Sequence, residues 1–313
     1  MTNQQPEFPG GVWPTMVTPF TDRGEVDLPA LQALTRWYAG KGCAGVFAVC
    51  QSSEMFHLSL EERVKIARTV AQSAPEGLCV IASGHISEKP EDQARELRAM
   101  AGTGVQALIL ITNRLAAPDE SDDIFLRRLD ALLRLLPSGM PLGFYECPYP
   151  YKRLLSEKIL RACAGTGRFF FIKDTSCDLE QMRMKLAVTA GTPFKLYNAN
   201  AATLLGSLRM GAAGYCGVMA NFHPELYVRL LELYQREPER AEALQSVLAM
   251  CALIESHAYP VCAKYALSLE GLPIGLKTRS CDEKLLTDAF RLEVRQLGLV
   301  TRLARKRFGP AAS

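Results

Sequence analysis

The sequence predicts an α/β fold, a (β/α)8 TIM barrel followed by a C-terminal helical extension. Three observations predict it. Apolar β-like runs alternate with amphipathic helical stretches eight times before residue 238. The runs are apolar on consecutive residues, as in Phe169, Phe170, Phe171 and Ile172, which fits strands buried on both faces of a parallel sheet. The stretch holding the eight units has the length of one closed barrel. A doubly wound open sheet is the alternative, but it usually carries a Gly-rich phosphate turn after its first strand. Here "TPFTDRGEVD" contains no G-x-G-x-x-G.

The elements follow in order. "GVWPTMVTPF" (11–20) reads as a strand and "LPALQALTRWYAGKG" (28–42) as a helix. "AGVFAVC" precedes "SLEERVKIARTVAQSA", whose Ser59 and Glu62 have the spacing of a capping box. "LCVIASG" precedes "PEDQARELRAMAGTG", and "VQALILIT" precedes "DDIFLRRLDALLRLL". "PLGFYEC" leads to "LLSEKILRACAG", and "FFFIKD" to "LEQMRMKLAVTAG". "FKLYNA" then "ATLLGSLRMGAAG", and "GYCGVMA" then "PELYVRLLELYQRE", complete the eight units. After Glu237 the β-like runs stop and three helical patterns follow. The expected division is therefore a barrel over 1–237 and a helical region over 238–313.

Composition narrows the function. With 48% hydrophobic and 22% charged residues, the chain can bury a large core. A formal net charge of +3 gives no reason to expect nucleic acid or an anionic membrane as partner. The basic "TRLARKRFGP" continues a helical pattern and reads as a solvated helix end. The opening "MTNQQPEFPG" lacks the apolar segment of a signal peptide, and no run approaches a membrane span. Ten cysteines scattered through such a chain read as reduced thiols of a cytoplasmic protein.

In such barrels the chemistry sits at the C-terminal ends of the strands. The sixth strand ends at Lys173, the fifth at Tyr145 and Glu146, and the second runs into "CQSSE". The seventh ends near Asn198 and the eighth near Cys216. A lysine closing an apolar strand has two readings. Burial disfavours its ammonium form, and the neutral amine condenses with ketones to a Schiff base. Alternatively it forms a rim ion pair with Asp174 or Glu146. The four histidines show no H-x-x-x-H spacing, and there is no G-x-S-x-G elbow or Walker loop. Cys50, Cys147, Cys177 and Cys216 fall near strand ends, where small thiols filling space are expected and a metal is not.

Taken together, the pieces resemble the dihydrodipicolinate synthase and N-acetylneuraminate lyase family of Schiff-base aldolases. The resemblance is carried by "TPF" after the first strand, "SSE" with "LSLEER", "YECP", "IKD", "GYCGVMAN" and "YPVCAKYAL", in that order over nearly the whole chain. It implies that Lys173 forms an imine with a 2-oxo acid and that Tyr145 shuttles a proton. It implies that Ser52 and the Ser53 amide hold the substrate carboxylate, with Gln51 beside them. Glu146, Arg114, Asn198, Asn200 and Asn221 are expected to line the outer pocket and choose the second substrate, with Cys216 also on its wall. No cofactor is implied. The expected partners are a small 2-oxo acid and further copies of the chain, as a tetramer or dimer.

The sequence also departs from the family. Cys50 and Gln51 replace the glycine and the first hydroxyl residue of the second-strand loop. Asn113 and Arg114 stand where a tyrosine pair would be, and Pro150 where synthases carry an arginine. "YNANA" lacks the seventh-strand patterns of the best-known branches. These departures point away from lysine biosynthesis and from sialic-acid cleavage. The expected activity is that of a class I lyase or aldolase acting on pyruvate or a related 2-oxo acid. An imine-based dehydratase or hydratase-aldolase and a non-catalytic 2-oxo-acid-binding barrel are the alternatives.

Overall fold

The computed structural model describes residues 8–309. The polar opening segment, where a signal peptide was not expected, lies partly outside them. Eight strands form the centre: β1 (Gly11–Val12), β2 (Gly45–Phe47), β3 (Cys79–Ala82), β4 (Ala107–Ile111), β5 (Leu142–Tyr145), β6 (Phe169–Asp174), β7 (Lys195–Asn198) and β8 (Gly214–Tyr215). All neighbours are parallel, in the order β1-β8-β7-β6-β5-β4-β3-β2. A parallel bridge between Thr15 and Phe47 brings the two ends of this sheet together, making a (β/α)8 barrel. The first strand is shorter than the sequence pattern predicts. Pro14 has no N–H to give to a ladder, so only short pairing survives around it.

Eight helices alternate with the strands: α1 (Leu28–Gly40), α2 (Leu60–Ser73), α3 (Pro90–Ala101), α4 (Asp122–Arg134), α5 (Glu157–Ala164), α6 (Leu179–Thr189), α7 (Leu204–Arg209) and α8 (Pro224–Leu233). The capping box of α2 forms: the Glu62 amide donates to Ser59 Oγ at 3.2 Å, and the Ser59 amide to Glu62 Oε2 at 2.9 Å. Beyond residue 237 come α9 (Pro238–Cys251), α10 (Val261–Leu269) and α11 (Asp288–Phe308). Leu244, Val261 and Val294 of these helices belong to the same hydrophobic core as the barrel strands.

Strand parity inside the barrel positions the site. Leu142 pairs with Phe169 but Gly143 pairs with Phe171, so β6 carries one extra residue, a bulge at Phe170. Beyond it, alternate residues face inward. Phe171 stacks on Tyr197 at 4.1 Å and meets Trp13 edge-on at 5.2 Å, filling the barrel floor. Gly45 leaves room for that indole, since a Cβ there would lie 2.2 Å from the Trp13 ring. Two residues past Phe171, Lys173 faces the same interior.

The loop after β3 is fastened by His85, which is fully buried. Its Nε2 accepts the Ile111 amide at 2.6 Å, and its Nδ1 lies 3.1 Å from Gln93 Oε1. These partners require the neutral tautomer that carries its proton on Nδ1. Burial pushes the imidazole down to about 4. The unfolded chain therefore takes up this proton first. The stability is fully present above the unfolded value near 6.5 and is lost as pH falls from there toward 4, on the order of 3 kcal/mol. Urea unfolding between pH 7 and pH 4.5 should show this loss and should show less of it in His85→Gln. Equal pH slopes in parent and variant would contradict the account.

Candidate active site

A cavity of about 500 Å³ opens at the C-terminal ends of the strands. Lys173 and Tyr145 are register partners on β6 and β5, and both face it. Lys173 Nζ lies 4.1 Å from the centroid of the Tyr145 ring and 5.9 Å from that of Phe47. Phe47 meets Tyr145 edge-on at 5.6 Å. The lysine is 4% exposed and makes no hydrogen bond or ion pair among the described residues. Burial, with added effects from Cys147 and Cys50, pushes the Tyr145 phenol well above its ordinary range, so the hydroxyl keeps its proton.

The rim ion pair that the sequence allowed for Lys173 does not form. Asp174 and Glu146 each follow an inward residue and so point to the outer face of the sheet. There Lys185 of α6 lies between them, its Nζ 2.5 Å from Glu146 Oε1 and 2.6 Å from Asp174 Oδ2. All three side chains are 0% exposed. Burial alone would depress Lys185, but the two carboxylates outweigh it and hold the ammonium above its ordinary value. Glu146 also accepts the Leu155 and Thr175 amides at 2.8 and 3.2 Å. The expectation that Glu146 lines the substrate pocket is therefore corrected. It anchors the strand ends from behind.

Other expected positions divide in the same way. Ser52 and Gln51 line the cavity. The Ser52 hydroxyl bonds Thr15 Oγ1 at 3.2 Å, and Gln51 Oε1 accepts from the Cys147 thiol at 3.4 Å. Ser53 does not line it. Its amide donates back to Cys50 O at 3.2 Å and its hydroxyl to the same oxygen at 2.7 Å, so neither is aimed at a substrate. Asn198 is the register partner of Asp174 and shares its outward face. Its Nδ2 bonds Thr203 and Ser207 hydroxyls, both at 3.0 Å. Cys216, just past the end of β8, does not line the cavity: it is 0% exposed, with its thiol pushed up to about 12 by burial.

Arg114 also misses the cavity. A short 3-10 turn over Thr112–Arg114 sends Asn113 into the 147–151 loop, where its Nδ2 reaches the Cys147, Tyr149 and Tyr151 carbonyls at 2.8, 2.9 and 2.6 Å. Arg114 is left facing a neighbouring cavity of about 520 Å³, with Glu88 and Arg128 on its wall. Among the described residues no cluster of His, Cys, Asp or Glu comes together to hold a metal.

Lys152, Glu255 and Tyr259 are among the wall residues that the sequence does not mark as site residues. Glu255 and Tyr259 come from the segment between α9 and α10, which returns to the barrel mouth. The Tyr259 hydroxyl accepts from Asn221 Nδ2 at 3.2 Å. The "SSE" motif shows why this segment sits there. Glu54 is buried and takes the Lys264 ammonium at 3.2 Å and the Arg279 and Ser280 amides at 2.6 and 2.8 Å. The second-strand loop is thus tied to α10 and to the chain that follows it. Burial depresses Lys264 to about 8 despite this carboxylate.

The sequence model of the dihydrodipicolinate synthetase family matches residues 8–124 and 130–288. The chain belongs to this family. A 4-hydroxy-tetrahydrodipicolinate synthase of Porphyromonas gingivalis is 27% identical over 265 residues, covering 84% of this chain and 87% of that protein. The Bacillus subtilis enzyme of the same name is 25% identical, covering 85% and 91%. Among solved structures, the sialic acid aldolase of Ruminococcus gnavus superposes with a TM-score of 0.85 at 22% identity, covering 96% and 100%. The prophage protein YagE of E. coli K12, solved in complex with pyruvate, gives 0.84 at 20%, covering 94% and 99%. These likenesses show the shared fold. The family is one of Schiff-base-forming, pyruvate-dependent lyases and aldolases, and the chain is a lyase of this type.

Proposed function

We propose that this protein makes or breaks a carbon–carbon bond next to a 2-oxo acid through an imine on Lys173. The observation that carries the reading is a buried lysine without an ion-pair partner, set against a tyrosine ring at 4.1 Å at the mouth of the barrel. The amine attacks the ketone carbon of pyruvate or a longer 2-oxo acid, and water leaves to give the imine. The protonated imine draws electrons from the adjacent bond. A 4-hydroxylated substrate then gives its hydroxyl proton to the Tyr145 oxygen, which has passed its own proton to the departing water, and loses an aldehyde to leave an enamine. The enamine takes the proton back at carbon 3 and water releases pyruvate from Lys173, and the same steps run backward for addition. The protonated Tyr145 hydroxyl supplies a proton to the departing water. The Ser52 hydroxyl and the Gln51 amide line the cavity and would hold the carboxylate, which needs partners once taken from water.

The test is release of pyruvate from a set of 4-hydroxy-2-oxo acids. Tyr145→Phe should slow it by about 10² to 10⁴, the usual contribution of a positioned acid–base group. An unchanged rate constant would reduce Tyr145 to a packing residue.

The working form is a homo-oligomer, a tetramer or a dimer. Met250, Leu253 and Leu303 support this, being 67%, 63% and 66% exposed on the C-terminal segment. A single-chain mass by light scattering at micromolar concentration would remove it. The site of action is the cytoplasm, a reading supported by ten free cysteines. No described helix is long and apolar enough to cross a membrane. Recovery of the activity outside the cytosolic fraction of the source cell would contradict this placement.

A further inference from the structure

Besides Lys173, the carboxylates and ammonium groups on the cavity wall are Glu54, Lys152 and Glu255. Two of them are occupied. Glu54 is taken by Lys264, the Arg279 amide and Ser280, which gives both its amide and its hydroxyl. Lys152 Nζ donates to the Thr175 carbonyl at 2.6 Å. Glu255 has no hydrogen bond or ion pair among the described residues and is exposed to the opening. Among the described residues no arginine lines the cavity. Asn200 is on the same wall, its Oδ1 already accepting the Thr203 amide at 3.0 Å, so its NH2, which also reaches the Cys177 sulfur, is the end that donates.

We propose that Glu255 chooses the carbonyl partner of the 2-oxo acid, accepting hydrogen bonds from the hydroxyls of a neutral hydroxy-aldehyde and excluding anionic aldehydes. The inference rests on the imine reading above. A free carboxylate accepts short, charge-assisted bonds from hydroxyls, and a hydroxyl can accept in turn from Asn200. The same carboxylate repels a phosphate or second carboxylate, and besides Lys173 the described wall sets against it the Lys152 ammonium, one of whose protons is already given to the Thr175 carbonyl. Its partial enclosure by the cavity wall pushes Glu255 up and an ammonium on Lys173 pulls it back, which places both groups in one electrostatic field.

The experiment measures kcat/KM for addition of pyruvate to neutral hydroxy-aldehydes of two to six carbons and to their phosphorylated counterparts. The unsubstituted protein should prefer the neutral member of each pair by about tenfold or more, the scale of one lost contact in a binding site. Glu255→Gln should shrink this ratio and Glu255→Lys should invert it. Borohydride trapping of pyruvate on Lys173 is read in parallel. Trapping with a ratio that stays the same in both variants overturns the role of Glu255 alone, as does turnover confined to anionic aldehydes. Absence of turnover with every neutral aldehyde also overturns it. Absence of trapping in the unsubstituted protein overturns the imine reading and this inference with it.

Discussion

Replacing Lys173 by alanine is expected to abolish turnover while leaving the fold intact. The first half follows from chemistry. The described cavity wall offers one other lysine, Lys152, and that amine is exposed and bonded to the Thr175 carbonyl. The second half follows from the surroundings. Lys173 has no carboxylate partner, so its removal strands no buried charge. What is lost is contact with the Tyr145 and Phe47 rings beside an existing cavity. Such a change should cost on the order of 1 kcal/mol. Activity is compared at matched concentrations of folded protein, checked by circular dichroism and thermal midpoint. Activity equal to the parent would refute the catalytic assignment and favour a barrel that binds 2-oxo acids without turning them over.

Lys185→Met should have the opposite profile, with its main effect on stability. The side chains of Lys185, Glu146 and Asp174 are all sealed from solvent. Removing the ammonium leaves two carboxylates facing each other in the interior. Breaking a buried ion pair from one side typically costs about 3–5 kcal/mol. The triple variant Lys185→Met, Glu146→Gln, Asp174→Asn should recover much of that loss, because no net charge is then buried. Denaturant unfolding of the single and triple variants decides this. A single variant within about 1 kcal/mol of the parent would show that the triad is not the clamp described here. The clamp also bears on the site, because Glu146 and Asp174 directly follow Tyr145 and Lys173 on paired strands.

The barrel was legible in the sequence because parallel strands buried on both faces leave unbroken apolar runs. The same feature concealed which way the strand ends point. With Lys173 inward, Asp174 must be outward, and the register places Asn198 beside it. Tyr145 inward likewise puts Glu146 outward. Proximity to a strand end is not proximity to the cavity, because single-residue parity separates the two. Two buried acids on adjacent strands do call for a cation, but Lys185 sits in "LEQMRMKLAV", where local pattern gives no sign of burial. Glu255 and Tyr259 were harder still. Their helical segment is readable, but its return to the barrel mouth depends on long-range ties such as Glu54 to Lys264. The motif alone marks Ser53 as a carboxylate donor, but the tight turn after β2 uses its amide and hydroxyl internally.

The most direct measurement of the central claim is reductive trapping. The protein is incubated with pyruvate and borohydride, which reduces an imine to a stable secondary amine. Intact mass and peptide mapping then locate the adduct. The account predicts one adduct per chain on Lys173, none on that peptide in Lys173→Ala, and far less trapping with acetone, which lacks the carboxylate that Ser52 and Gln51 would orient. An adduct on Lys152 instead, or no reducible adduct with any 2-oxo acid, would contradict it.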